Sequence, residues 1–210
     1  MALQFIEELL KAPAPGFRCF AAPGKEKSRF LARIHHVLAP PASGEATAKI
    51  RQLLGDHAPQ VAAFYQRHNG AALYKDTLSR AAGIELLPVE RWDEATEDMR
   101  DWFDHLAEEP ENDPDHIVTG IAIATVPHSG NYFVMPVEGP AAGQIFYADH
   151  DGWYEEAFAK DFDAFVARVT RDPVQLLAED VGCYTRYSDG KTDAQWIPEE
   201  YFTDVTVAKI

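Results

Sequence analysis

The chain has 210 residues, 46% of them hydrophobic, and its 34 acids outnumber its 19 bases for a formal net charge of −15. That length fits one domain, and the apolar content is enough for a core, which argues against disorder. The charge would repel phosphates and so argues against a nucleic-acid partner; no apolar run reaches the roughly 18 residues of a membrane span.

Leu3, Ile6, Leu9 and Leu10 recur at helical spacing and predict a short first helix, stopped by Pro13, Pro15 and Gly16. Glu7 and Glu8 interrupt its apolar stretch, which is unlike a signal peptide. Two widely separated cysteines, Cys19 and Cys183, make no disulfide framework and point to a reducing, cytoplasmic compartment; a single bridge between them is left open. Phe30, Leu31, Ile34, Val37 and Leu38 predict a second helix that ends before Pro40 and Pro41, with a linker to Gly44. It would carry His35 and His36, whose side chains would diverge by about 100° and make a poor ligand pair. A third helix is expected over residues 46–54, burying Ile50, Leu53 and Leu54. Asp56 is expected to cap a fourth, with Pro59 in its first turn and Asn69-Gly70 at its end.

Residues 71–75 and 84–87 read as short strands. Asp93 is then expected to cap a helix reaching about Glu109, with an apolar stripe of Ala95, Met99, Trp102, Phe103 and Leu106. Glu94, Glu97, Asp98, Asp101, Asp104 and Glu108 share one arc opposite that stripe and are the candidate protein-binding residues. Charge is unevenly spread: bases prevail before Gly55, whereas residues 85–115 hold only Arg91 and Arg100 against a long acidic series. On these patterns Trp102 belongs to the core and Trp92 is undecided. Strands follow over 119–126, 132–137 and 144–148, joined through PHSGN and EGPAAG, which have hairpin-loop chemistry. Asp161 is expected to cap a helix that presents Phe162, Phe165, Val166 and Val169, with Phe158 just ahead as a staple. The tail from Val181 carries Tyr184, Tyr187, Trp196, Tyr201 and Phe202, and a strand is expected over 203–208. Segregated helices and strands of this sort favour an α+β fold.

Reaction chemistry has little support. The sharpest candidate is the Asp149-His150-Asp151-Gly152 loop with His128, whose carboxylates and imidazoles suit a divalent metal, but a solvated turn explains the same residues. There is no G-x-S-x-G elbow, no phosphate loop and no activated-thiol signature at Cys19 or Cys183. Ser129 beside His128 is a neighbour in a loop, which rarely makes a working pair. The expectation is therefore a protein that is not an enzyme, with no catalytic residues, no cofactor and no metal.

The order of motifs resembles the SMI1/KNR4 family, also called the SUKH superfamily. Four segments carry the resemblance: FYQRHNG at 64–70, ELLPVERW at 85–92, SGNYF at 129–133 with GQIFYADHDG at 143–152, and KDFDAFV at 160–166. It covers about residues 44–177, which divides the chain into a helical extension (1–43), an SMI1/KNR4-like domain (44–177) and a C-terminal extension (178–210) packed on the same domain. The resemblance implies a central, mostly antiparallel sheet with helices packed around it, and no catalytic residues. It also implies a bacterial immunity protein that binds and neutralises a toxin, or alternatively an intracellular regulatory or scaffolding protein. A metal enzyme using residues 149–152 is the remaining alternative. Asn69, Gly70, Gly130, Asn131 and Phe162 match recurrent positions and read as scaffold. The acidity of the chain adds that the partner, a toxin domain on the first reading, is basic; the sequence does not set the oligomeric state.

Overall fold

In chain order the elements are α1 (Ala2–Lys11), β1 (Cys19–Ala22), β2 (Phe30–Leu31), β3 (Ile34–Leu38), α2 (Gly44–Leu54), α3 (Ala58–Tyr65), β4 (Ala71–Asp76), β5 (Ile84–Leu86), α4 (Trp92–Asp104), α5 (Asp115–Val118), β6 (Gly120–Val126), β7 (Asn131–Pro136), β8 (Phe146–Asp149), β9 (Gly152–Trp153), α6 (Phe162–Arg171) and β10 (Gln195–Pro198). The structure is a computed structural model that describes residues 2–11, 19–22, 30–31, 34–76, 83–104, 114–127, 129–149, 152–153, 155–172, 175–181 and 195–198. Cys183, the expected strand over 203–208 and Tyr184, Tyr187, Tyr201 and Phe202 lie outside these residues.

Strands β3 to β9 form one seven-stranded sheet in sequence order, with every neighbouring pair antiparallel; β10, β1 and β2 form a separate three-stranded sheet. Short connections with glycine in the left-handed region make this meander possible. Gly130 has φ 76° between β6 and β7, and Gly139 and Gly143 have φ 78° and 81° between β7 and β8. Together with the six α-helices among the described residues this is the expected α+β arrangement around an antiparallel sheet.

Side chains alternate across β7, so adjacent residues serve different layers. Phe133 faces α6, with ring centroids 5.0 Å from Phe165 and 4.9 Å from Phe158. Tyr132 faces α4, where it lines a groove with Asp98 and Trp102. The sheet thus lies between α4 and α6, which explains why β6 is buried along nearly its whole length. Asp161 caps α6 as expected, its carboxylate accepting the Ala164 N–H at 2.7 Å. Phe162, Phe165, Val166 and Val169 are buried, and Phe158 is 9% exposed beside them. The N-terminal helix joins this layer: Ile6 is buried, and the Ala2 N–H donates to Asp163 Oδ1 at 2.6 Å.

Two expectations about local structure are corrected. The predicted helix over 30–38 is instead strands β2 and β3. Its apolar spacing suits a helix, but Ile34 and Val37 are β-branched, and pairing with β4 supplies a ladder that an isolated periodicity does not reveal. The helix expected to start at Asp56 starts at Ala58, after a 3-10 turn over Gly55–His57 that contains Asp56, and no side chain caps it. Pro59 does sit in its first turn, where a missing N–H costs nothing. Ser43 caps the preceding helix α2 by accepting the Ala46 N–H at 3.0 Å.

The β3–β4 pairing carries a bulge, with Leu73 and Tyr74 opposite His36. Tyr74 has φ 56°, a rare conformation for a bulky residue, and its N–H donates to His36 Nδ1 at 3.1 Å. The imidazole replaces a strand carbonyl there. Burial, followed by the charge of His35, holds His36 down at about 4 from its ordinary 6.5.

Candidate functional site

Helix α4 is fixed on the sheet through one side. Trp92, left undecided by the sequence, is completely buried; its indole N–H donates to Leu87 O at 3.1 Å and its ring meets Tyr65 edge-on at 5.3 Å. Ala95, Met99 and Phe103 are buried along the same line. The Thr96 hydroxyl donates to Trp92 O at 2.6 Å and accepts the Ala122 N–H at 3.0 Å. The β5 pairing covers Ala124 and Thr125 of β6 and does not reach Ala122. Arg100, the one base within α4, donates to Val118 O at 2.9 Å and Gly120 O at 3.1 Å, so it is committed to the start of β6.

The opposite side carries the predicted acids. Glu94, Glu97, Asp98 and Asp101 are exposed, and none is ion-paired or hydrogen-bonded among the described residues. Asp93 lies in the first turn of α4 rather than capping it, and meets Lys49 Nζ at 2.7 Å. Asp104 is the last residue of the helix, and nothing further is described of its side chain; Glu108 and Leu106 lie outside the described residues.

Trp102 is a correction. Expected in the apolar stripe, it is 51% exposed. The buried line through Trp92, Ala95, Met99 and Phe103 places Trp102 roughly 65° off its centre at about 100° per residue, on the flank that borders Asp98 and Asp101. Beside it an open groove of about 520 Å³ is lined, among the described residues, by Asp98, Asp101, Trp102 and Tyr132. The Tyr132 hydroxyl is held above its ordinary range, first by burial and then by the charges of Asp98 and Glu94, with Arg91 opposing. Tyr132 was not among the sequence candidates. Strand alternation in SGNYF shows that Tyr132 and Phe133 face opposite ways, but not that α4 lies over the tyrosine.

Of the other candidates, the 149–152 loop is described only at its ends, and the rest serve as structural parts. Asp149 and Gly152 pair across the β8–β9 hairpin, and the Asp149 side chain is buried; His128, His150 and Asp151 lie outside the described residues. Among the described residues no group of three His, Cys, Asp or Glu could hold a metal ion. His35 and His36 are engaged in the β3–β4 pairing, His35 Nδ1 lying 2.7 Å from Lys75 O. The Ser129 hydroxyl donates to Val126 O at 2.7 Å and accepts the Asn131 N–H at 3.0 Å, which makes it a turn brace. Asn131 is fully buried, its amide donating to the Tyr147 hydroxyl at 2.6 Å. Asn69 accepts the Val89 N–H at 3.1 Å and donates to Glu90 at 2.7 Å, tying the segment between α3 and β4 to the approach to α4. No helix among the described residues is long and apolar enough to cross a membrane.

A family model described as "SMI1 / KNR4 family (SUKH-1)" matches residues 41–168, the stretch from the start of α2 into α6. No curated protein matches the chain.

Proposed function

The chain belongs to the SMI1/KNR4 family (SUKH-1), whose model matches more than half of it, and we propose from that premise that it is a non-enzymatic binding module of immunity type, which neutralises a basic toxin domain in the cytoplasm through the acidic side of α4. The observation that carries this reading is the row of four exposed, unpaired acids, Glu94, Glu97, Asp98 and Asp101, on a helix whose one base is turned to the sheet. Asp104 and Glu108 would extend the row.

Acids three and four positions apart on a helix repel by a few tenths of a kcal/mol per pair. A basic partner relieves that repulsion and is drawn in faster by the opposed potentials. A toxin that attacks nucleic acid must approach a polyanion, so its working surface carries positive charge. An acidic helix laid across such a surface would occupy the substrate's place without any chemistry.

The test is co-expression with the toxin-like product of the adjacent gene. The expected result is a complex that survives size-exclusion chromatography and cells that grow when the toxin is induced. Neither complex nor protection would count decisively against the reading.

A further inference from the structure

Resting on that reading, we propose that the groove between α4 and β7 seats an arginine side chain of the basic partner, its guanidinium lying on the Trp102 indole and hydrogen-bonded to the Asp98 and Asp101 carboxylates. The groove is the place where aromatic surface and negative charge coincide on the acidic side of α4. Trp102 is 51% exposed, Tyr132 forms the opposite wall from the sheet, and Asp98 and Asp101 stand on neighbouring turns beside them. The volume, about 520 Å³, is open at the surface and able to admit a side chain from outside.

The pairing favours arginine over lysine on geometric grounds. Guanidinium is planar, stacks on aromatic faces and offers a fork of donors to carboxylates, whereas the lysine ammonium is a compact and more strongly hydrated charge. Two acids at i and i+3 present acceptors on one helical face, and Asp98 and Trp102 are one full turn apart at i and i+4. A flat cation over the indole can therefore reach both carboxylates from one position. The Tyr132 hydroxyl has no hydrogen-bond partner among the described residues, which leaves an acceptor at the groove wall. Glu94 stands two turns before Trp102 along the helix and Glu97 farther round it, where they add general attraction without the stacking surface.

The test uses the full chain and two probes of equal charge, hexa-arginine and hexa-lysine peptides, titrated calorimetrically at low salt. Hexa-arginine should bind about fivefold more tightly, the difference that a cation–π contact of about 1 kcal/mol supplies. Trp102→Leu, at an exposed position, should bring the two affinities to within about twofold while retaining charge-driven binding. Asp98→Asn with Asp101→Asn should weaken hexa-arginine more than Glu94→Gln with Glu97→Gln does. Equal affinities in the unaltered protein, a preference that survives Trp102→Leu, or no binding of either peptide would overturn the proposal. The titration needs no toxin, so a failed groove and a failed immunity role give separate results: a toxin complex that forms while the arginine preference is absent removes the groove alone.

Discussion

Gly70 shows how much a single position can demand. Its φ is +100°, and a Cβ there would lie 2.5 Å from Leu86 O. Gly70→Ala should therefore lower the stability of the chain by about 2 kcal/mol or more, through both strain and displaced backbone, read as a fall in the urea midpoint; an unchanged midpoint would contradict the close approach. Asn-Gly marked a place that tolerates positive φ, but not the helix end expected there: α3 stops at Tyr65 with Gln66 as its C-cap, before the pair is reached. The grip of Asn69 on Val89 and Glu90 was not legible, since it joins residues twenty positions apart. His36 makes a second prediction. Its Nδ1 must stay unprotonated to accept from Tyr74, and its folded value of about 4 lies below the ordinary 6.5. The unfolded chain takes up the proton first, so this contribution is complete above pH 6.5 and is lost as pH falls through 4. Carboxylates titrate in the same window, so the measurement is a comparison. His36→Gln keeps an acceptor and removes the titration, and should flatten the fall in urea midpoint between pH 6.5 and 4. Parallel curves for the two proteins would show that His36 does not carry the effect.

Among the elements, β6 to β8 and α6 were legible because their signals are local: glycine-bearing hairpin loops, alternating apolar residues and an aspartate cap with its aromatic stripe. β3 was not, because the residues that would make a helix of 30–38 meet a strand partner more than thirty positions away. In α4 the acidic arc was legible from spacing alone, whereas the exposure of Trp102 depends on which part of the apolar arc the sheet covers. That helix also makes a prediction of its own. Asp98 and Asp101 lie in its middle and later part, three positions apart, where they repel each other and oppose the helix dipole. Asp98→Asn with Asp101→Asn should raise the stability of the isolated protein by about 0.5 kcal/mol, visible as a higher urea midpoint, while weakening its hold on a basic partner. Stability gained where binding is lost is the mark of charge kept for recognition. A drop in stability would mean that these carboxylates serve the fold.

At the scale of the whole molecule, a sheet covered by α4 on one side and α6 on the other leaves the outer side of α4 facing solvent. The net charge of −15 makes the entire chain attractive to a cation, so charge alone does not locate the surface. The family and the antiparallel meander followed from the order of motifs, each of which is weak by itself. The docking of α4 over Tyr132 could not follow, because it is set by contacts between segments distant in sequence. The deciding measurement is calorimetry of the complex with the toxin domain, for the unaltered protein and for a variant combining Glu94→Gln, Glu97→Gln, Asp98→Asn and Asp101→Asn, each at low and physiological salt. If α4 is the contact, the variant binds at least about tenfold more weakly, a loss of about 1.4 kcal/mol, and with a shallower salt dependence. Equal affinity and equal salt dependence in the two proteins would place the contact elsewhere and contradict the account.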